Sequence, residues 1–303
     1  AKPEPGFDPW VTVRWSAQSQ GAVIRIGETL PPSASLRDLS YTLGPRRELH
    51  PWAQATTGMH TLPKRQTSEV RRAVAKTKLV FCCPGQGSQY PTMGLELSQT
   101  WPRFAAKYQK AIKHFKETYQ LDLSASLADE ALLHQTQYTQ ANLFVLEWAL
   151  AESLRECDLE PFAVLGHSLG EITAGTLAGI FSFTDAAHLV YHRARLMQKT
   201  PRGLMLAVRC HRTQLEPLLS MDCELAAENT LQGLVASGTA QAIRDLEEKL
   251  DALVIPHRRL NVSNAFHSSL MESVLEEFRT VFDTIALRPP QLPLYSTVTG
   301  KLL

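Results

Sequence analysis

Phe162–Ala163–Val164–Leu165–Gly166–His167–Ser168–Leu169–Gly170–Glu171 is the stretch that decides how this sequence is read. Residues with strand character run into Gly166, Ser168 stands between two glycines, and a helical pattern follows. A serine between glycines at a strand-to-helix turn is how a nucleophile elbow is built. The turn is too sharp for side chains at its flanks, so the serine oxygen stands clear. The helix N-terminus behind it points backbone N–H groups at the place where an oxyanion would form. At average glycine and serine usage the pattern alone arises by chance about 0.1 times in a chain this long. The rest of the chain has to decide.

The 303 residues are 44% hydrophobic and 20% charged, with a formal net charge of +1. That balance describes a globular protein large enough for a big α/β domain with an accessory unit. Near-neutral charge leaves no footprint for nucleic acid or for an acidic membrane surface. No run of about 18 apolar residues is present to span a bilayer. The first eight residues, with two prolines, do not read as a signal peptide. Cys82, Cys83, Cys157, Cys210 and Cys223 are odd in number and form no Cys-x-x-Cys pair. They fit a reduced, cytoplasmic compartment and no metal site.

Upstream of the elbow, residues 1–75 read as a small α+β accessory or linker module. A strand is expected at 10–13 and a short helix at 35–43, with prolines at 31, 32, 45, 51 and 63 interrupting the rest. Lys64, Arg65, Arg71, Arg72, Lys76 and Lys78 read as the solvated surface of an exposed connection. From Lys78 the pattern turns α/β. Leu79–Val80–Phe81–Cys82 reads as a fully buried strand, and Pro84–Gly85–Gln86–Gly87–Ser88–Gln89 as a tight glycine turn. With Tyr90 where a third glycine belongs and no Gly-Lys-Ser/Thr, the turn is neither a dinucleotide fingerprint nor a P-loop. Helices are expected over 101–117 and 137–156, the second with Leu143, Leu146, Leu150 and Leu154 on one stripe. Small residues over 171–179 suit a helix packed under a sheet.

Downstream, Ser182 or Thr184 caps a helix whose apolar stripe runs Ala186, Leu189, Val190, Met197. At 100° per residue Arg193 falls inside that stripe and Arg195 opposite it. A guanidinium on a buried face needs an anion, either a structural carboxylate or a substrate carboxylate held by two parallel hydrogen bonds. Residues 201–261 read as a separate small unit. Strands at 204–208, 225–228, 234–237 and 253–255, the last with room to continue to Leu260, and helices at 213–219 and 240–250 give the β-α-β-β-α-β order of a ferredoxin-like insertion. In Asn264–Ala265–Phe266–His267–Ser268–Ser269, Ser269 and Glu272 form a capping box. Met271, Val274, Leu275, Phe278, Phe282 and Ile285 then mark a buried helical face. His267 thus precedes a helix N-terminus, whose dipole disfavours the imidazolium. A last strand is expected at 292–298.

Four of these stretches share one order: Pro84–Gly85–Gln86–Gly87–Ser88–Gln89, the elbow, Arg193 in Arg-Ala-Arg-Leu-Met, and Ala265–Phe266–His267–Ser268. Together they resemble malonyl-CoA:acyl-carrier-protein acyltransferases, which show the same 25-residue gap from Ser168 to Arg193. Over roughly 79–303 the closer likeness is to the acyltransferase domain of modular polyketide and fatty acid synthases. Trp15–Ser16–Ala17–Gln18 and Leu36–Arg37–Asp38–Leu39–Ser40–Tyr41–Thr42–Leu43 resemble phrases of the linker between ketosynthase and acyltransferase. Such domains continue some tens of residues past the Ser-Thr-Val-Thr-Gly stretch at 296–300, whereas this sequence ends at Leu303.

The resemblance implies an α/β-hydrolase-like large subdomain (76–200 and 262–303), a ferredoxin-like subdomain (201–261) inserted in it, and a linker module at 1–75. It implies that Ser168 attacks an acyl-CoA thioester with His267 as general base, in ping-pong fashion. The N–H groups of Gln86 and Leu169 form the oxyanion hole, and a main-chain carbonyl near Ser296–Thr297 orients the histidine. Arg193 holds a free carboxylate, which makes the acyl group malonyl. Leu169, Ala265 and Phe266 set acyl specificity, a bulky Phe266 filling the space of an α-methyl branch. Asn264 stands where the malonyl signature usually begins with His. Malonyl-CoA is then a substrate, no cofactor is permanently bound, and the acceptor is the phosphopantetheine thiol of an acyl carrier protein. The partners implied are that carrier and a neighbouring ketosynthase, with neither nucleic acid nor membrane.

Two other readings share parts of this pattern. A serine hydrolase or thioesterase of the α/β-hydrolase class needs an acid between nucleophile and histidine. Asp245 and Glu247 fall instead in a helical pattern, and a buried arginine has no task in ester hydrolysis. A non-catalytic docking remnant would keep the fold, but it would not need Ser168, His267 and Arg193 together.

Overall fold

Two units make up the chain, Ala1–Lys78 and Leu79–Leu303. The computed structural model describes residues 11–44, 46–58, 69–72, 78–262 and 264–303. In the first unit, strand β1 (Val11–Ala17) is followed by helices α1 (Gln20–Thr29) and α2 (Leu36–Leu43), then strands β2 (Trp52–Gly58) and β3 (Arg71–Arg72). The three strands form an antiparallel sheet in the order β1-β2-β3. Alternation along β1 buries Val13, Trp15 and Ala17 against Val23, Leu36 and Leu39. The Trp15 indole N–H donates to the Val23 carbonyl at 3.0 Å, which satisfies the one polar atom of that buried ring. The strand thus begins at Val11 and runs four residues past the expected end at 13. The sequence reading missed α1, whose two glycines and β-branched residues blur a helical pattern. Arg71 and Arg72 are exposed, as a solvated surface requires. Trp10, Lys64, Arg65, Lys76 and the prolines at 45 and 63 lie outside the described residues.

The second unit opens with β4 (Val80–Cys83) and five helices: α3 (Leu95–Thr100), α4 (Pro102–Tyr119), α5 (Leu123–Ala128), α6 (Glu130–Leu133) and α7 (Thr136–Arg155). Then come β5 (Ala163–Gly166), α8 (Leu169–Leu177) and α9 (Phe183–Lys199). A small sheet follows, made of β6 (Leu204–Val208), α10 (Arg212–Leu215), β7 (Cys223–Thr230), β8 (Gly233–Gly238), α11 (Ala240–Ala252) and β9 (His257–Arg259). The chain returns through a 3-10 turn at Ser269–Val274, α12 (Leu275–Phe282), β10 (Leu294–Ser296) and β11 (Lys301–Leu302).

The larger sheet has the order β11-β10-β5-β4, with β10, β5 and β4 parallel. β5 lies between two parallel neighbours, so its carboxyl end opens into the crevice where α/β proteins bind ligands. β4 was expected to be fully buried, but it is the edge strand: Val80 is 45% exposed and Cys82 is exposed, while Cys83 is buried. α7 also departs from a single leucine stripe. It packs between α4, α8 and α9 and buries Thr139, Gln140 and Asn142 beside Leu143, Phe144 and Val145. Its buried amides need partners, and Asn142 donates to Ser126 Oγ at 2.8 Å.

The small sheet is antiparallel throughout, in the order β7-β8-β6-β9, and one face packs on α11. First and third strands in the centre make the ferredoxin-like arrangement. Its last strand is His257–Arg259, inside the continuation to Leu260 that the sequence allows, while 253–255 is not a strand. Leu253 caps α11, Val254 takes a left-handed φ of 55°, and Ile255 N–H closes on the Leu250 carbonyl. A helix C-cap thus overrides the strand preference of Val and Ile. The expected capping box is also absent. Ser268 occupies the N-cap position without a capping bond, its hydroxyl donating to the Ala265 carbonyl, and the Ser269 N–H goes to Glu224 instead. Of the six residues expected on a buried helical face, Met271 alone is buried, and Leu275 is 56% exposed.

Candidate active site

The elbow forms where β5 runs into α8. Gly166 pairs in register with Cys83 on one side and Ser296 on the other, so the ends of β4 and β10 flank Ser168. Ser168 has φ 53° and ψ −110°, a backbone strain that persists only when the surroundings over-determine it. The packing is tight enough to require glycine: a Cβ on Gly170 would strike the Cys83 carbonyl. Gly85, in the turn after β4, lies so close that its Cβ would sit 2.7 Å from the His167 carbonyl oxygen. The turn at 84–89 is therefore seated directly on the elbow.

His267 Nε2 lies 2.9 Å from Ser168 Oγ. On the same oxygen, Arg193 Nη2 donates at 3.0 Å. With the oxygen accepting from arginine, the serine proton is free to point at Nε2, which requires a neutral imidazole with its own proton on Nδ1. The charge state agrees. His267 is held down to about 4 by desolvation first, then by the Arg193 and His167 charges, with Glu171 pulling the other way. The expected cause, a helix dipole, is not the operative one, because only a 3-10 turn follows.

Arg193 projects from the buried stripe of α9, beside Leu189, Val190 and Met197, while Arg195 is exposed. Among the described residues no carboxylate pairs with it. Its partners are Ser168 and, through Nη1 at 2.6 Å, Gln140 Oε1. Burial without a compensating anion pulls its pKa down to about 10. Gln140, which the sequence reading passed over, is buried on α7 and reaches Gln86 Oε1 through Nε2 at 3.3 Å. One amide thus bridges the arginine and the glycine turn. In the sequence Gln140 stands among Gln135, Gln137 and Asn142 ahead of the apolar run 143–146, and nothing local sets it apart.

These groups line a cleft of about 150 Å³ that contains Gln86, Gln140, Ser168, Arg193, Phe266 and His267. That volume suits a small acyl group, well below a pocket for a drug-sized ligand. Among the described residues, no backbone carbonyl takes up the Gln86 or the Leu169 amide. Of the expected specificity residues, Phe266 reaches the cleft. The Leu169 side chain is buried in the core between α7 and α9, and Ala265 packs at Gly203. Asn264 turns away too, donating to the Thr200 carbonyl at 3.0 Å. The carbonyls near 296–297 make no hydrogen bond with His267 among the described residues. Ser296 and Thr297 direct their donors at Glu171 instead. Asp245 bonds Gln241 and Glu247 pairs with Arg259, so neither serves as a triad acid.

Residues 80–302 match the model of the acyl transferase domain family. The chain is 34% identical over 294 residues to phenolphthiocerol synthesis polyketide synthase type I Pks15/1 of Mycobacterium marinum. That match takes in 94% of this chain but 14% of the synthase, so the chain spans a small part of the curated relative's length. Among solved structures, it is similar to the acyl transferase domain of SpnD in complex with 2-(pent-4-yn-1-yl)malonyl. The TM-score is 0.85 at 28% identity, over 98% of this chain and 76% of that one. The malonyl-CoA:ACP transacylase of Synechocystis sp. PCC 6803 follows with a TM-score of 0.67 at 33% identity, over 75% of this chain and 76% of that one.

Proposed function

The chain belongs to the acyl transferase domain family, and from that premise we propose that it moves a malonyl unit from CoA to the phosphopantetheine thiol of an acyl carrier protein. The observation that carries this reading is Arg193: a buried guanidinium with no carboxylate partner among the described residues, 3.0 Å from the candidate nucleophile. An acyl group on Ser168 Oγ that ends in a carboxylate supplies the missing anion within reach, and an acetyl group does not.

His267 takes the Ser168 proton as the oxygen attacks the thioester carbonyl. The amides of Gln86 and Leu169 receive the oxyanion, and the thiolate of CoA leaves with the proton held by His267. The carrier's thiol then attacks the acyl-serine, returning its own proton through the same histidine. Phe266 narrows the cleft against an α-methyl branch. A CoA thioester donor places the reaction in the cytoplasm. The neighbours of such a domain are a ketosynthase and the carrier protein, and residues 1–75 serve as the linker to the former.

Intact-mass measurement after incubation with malonyl-CoA tests the reading. A single malonyl adduct is expected on the wild-type protein and none on Ser168→Ala. Rapid release of free malonate without transfer to a carrier thiol would favour a hydrolase, and a folded wild-type protein that stays unmodified overturns the proposal.

A further inference from the structure

Ser168 is strained, and most of what pins it comes from its own segment and from β4. His167 N–H donates to the Cys83 carbonyl at 2.9 Å, Gly170 N–H to the His167 carbonyl at 2.9 Å, and Glu171 N–H to the Ser168 carbonyl at 3.0 Å. On the opposite side, the end of β10 contributes a different set of bonds. Thr297 Oγ1 lies 3.0 Å from the Gly166 carbonyl oxygen and 2.9 Å from Glu171 Oε1. Thr297 N–H donates to the same carboxylate oxygen at 2.6 Å, and Ser296 Oγ adds a bond at 3.2 Å. A hydroxyl has one proton, so the Thr297 O–H is shared between the Gly166 and Glu171 acceptors, while its amide serves Glu171 alone.

Gly166 and Glu171 are the two flanks of the elbow, one closing β5 and the other in the first turn of α8. A single residue, the one just past the end of β10, therefore holds both flanks. We infer that Thr297, acting through Gly166 and Glu171, is a positioning residue that sets where Ser168 Oγ stands relative to His267 and the oxyanion amides. None of its atoms is hydrogen-bonded to the serine oxygen or to the imidazole. Its effect is geometric: bonds to charged acceptors are the stronger kind, and Glu171 gathers three donors on one oxygen. Displacing a nucleophile by about 1 Å costs up to about a hundredfold in rate, so a strained turn tied at both flanks is worth more to the reaction than to the fold.

The inference rests on Ser168 being the nucleophile, and the test separates the two. A fluorophosphonate probe reports serine reactivity whatever the acyl donor. Wild-type protein is compared with Thr297→Val, which keeps the β-branched shape and the amide, and with Thr297→Ser, which restores the hydroxyl. Thr297→Val should label about tenfold more slowly, and Thr297→Ser within about twofold of wild type. In malonyl transfer the loss should fall on kcat, with KM within about twofold, because Arg193 is untouched. Glu171→Gln, a second variant that leaves Thr297 in place, should slow labelling several-fold; should Thr297→Val fail to fold, this variant decides. Labelling of the folded Thr297→Val or Glu171→Gln protein at the wild-type rate overturns the inference. So does a Thr297→Ser protein as slow as Thr297→Val, or a loss confined to KM. A wild-type protein that does not label removes Ser168 as nucleophile and the inference with it.

Discussion

Arg193 donates from Nη2 to Ser168 Oγ at 3.0 Å, on the oxygen that faces His267 Nε2 at 2.9 Å. A fixed cation on the Ser168 oxygen favours negative charge there and disfavours a positive imidazole beside it. Replacing it with alanine therefore has two consequences. On the proposed function the substrate carboxylate loses its two-pronged partner, so Arg193→Ala should lose malonyl loading by about a hundredfold or more. Acetyl loading should hold or rise, because an uncharged acyl group never used the clamp. Paired single-turnover assays with the two CoA esters read this directly, and equal losses for both would remove Arg193 as the carboxylate site.

The second consequence concerns pH. His267 is held to about 4, so its free-base form persists through mildly acid solution. The acid limb of kcat/KM should fall near pH 4–5 and not near the usual histidine value of about 6.5. In Arg193→Ala, assayed with acetyl-CoA, the limb should move up, because removing a neighbouring cation makes protonation easier. A wild-type limb near neutrality, or one that does not move in the variant, would show that the arginine charge does not act on the histidine.

Gln140 links the arginine to the glycine turn, and its own chemistry offers a sharper test. Gln140→Glu places a carboxylate 2.6 Å from Arg193 Nη1 in a nearly isosteric side chain. The buried cation then has its anion within the protein and gains less from one on the substrate. Malonyl transfer should fall about tenfold or more while acetyl transfer is retained. Comparing kcat/KM for the two donors checks it, and a uniform loss would reduce Gln140 to a packing role.

The elbow, the glycine turn, Arg193 and His267 were legible in the sequence because each is fixed by local chemistry. Glycines go where backbones touch, and an arginine placed at helical spacing within an apolar stripe declares its burial. What was not legible depends on packing between distant segments. Gln140 looked like one polar residue in a helix, and only the meeting of α7 with α9 gives it Arg193. Leu169 follows Ser168 and Ala265 lies two residues before His267, but helix and loop geometry turns their side chains into the core. The buried face expected downstream of His267 failed for the converse reason: apolar spacing shows that residues could share a face, not that another element covers it. β4 likewise looked fully buried, because four apolar residues in a row do not reveal a position at the sheet edge.

Phe266 is 5% exposed and packs with Met197, Met205, Val235 and Met271 while lining the cleft. Phe266→Ser opens room beside Ser168, and the proposed preference for malonyl over methylmalonyl should narrow by about 10- to 200-fold, the span of about 1–3 kcal/mol for one methyl group. The cavity costs stability of about 3–5 kcal/mol, so the comparison belongs at low temperature with folding verified. Competition between the two CoA esters for acyl-serine formation reads the ratio. An unchanged ratio would mean that the branch is excluded elsewhere.

Beneath the elbow, Glu147 on α7 is buried with its Oε2 accepting from Thr173 Oγ1 of α8 at 2.7 Å, while its Oε1 has no partner among the described residues. Burial raises its pKa to about 8, against the single hydrogen bond that lowers it. An unpaired protonated oxygen costs less there than an unpaired charge, so the native carboxyl keeps its proton at neutral pH. The unfolded chain releases that proton near pH 4.5, the ordinary value of a free glutamate side chain. Between that value and about 8 the folded state binds more protons, so stability falls as pH rises and is lost through the folded pKa. Thermal melts should accordingly drop by several degrees from about pH 5 to about pH 8. Glu147→Gln cannot ionise and keeps an acceptor for Thr173, so it should flatten that slope and melt higher than wild type at the alkaline end. If the two proteins keep parallel pH profiles, the slope belongs to other groups and Glu147 is not the buried acid that tunes it.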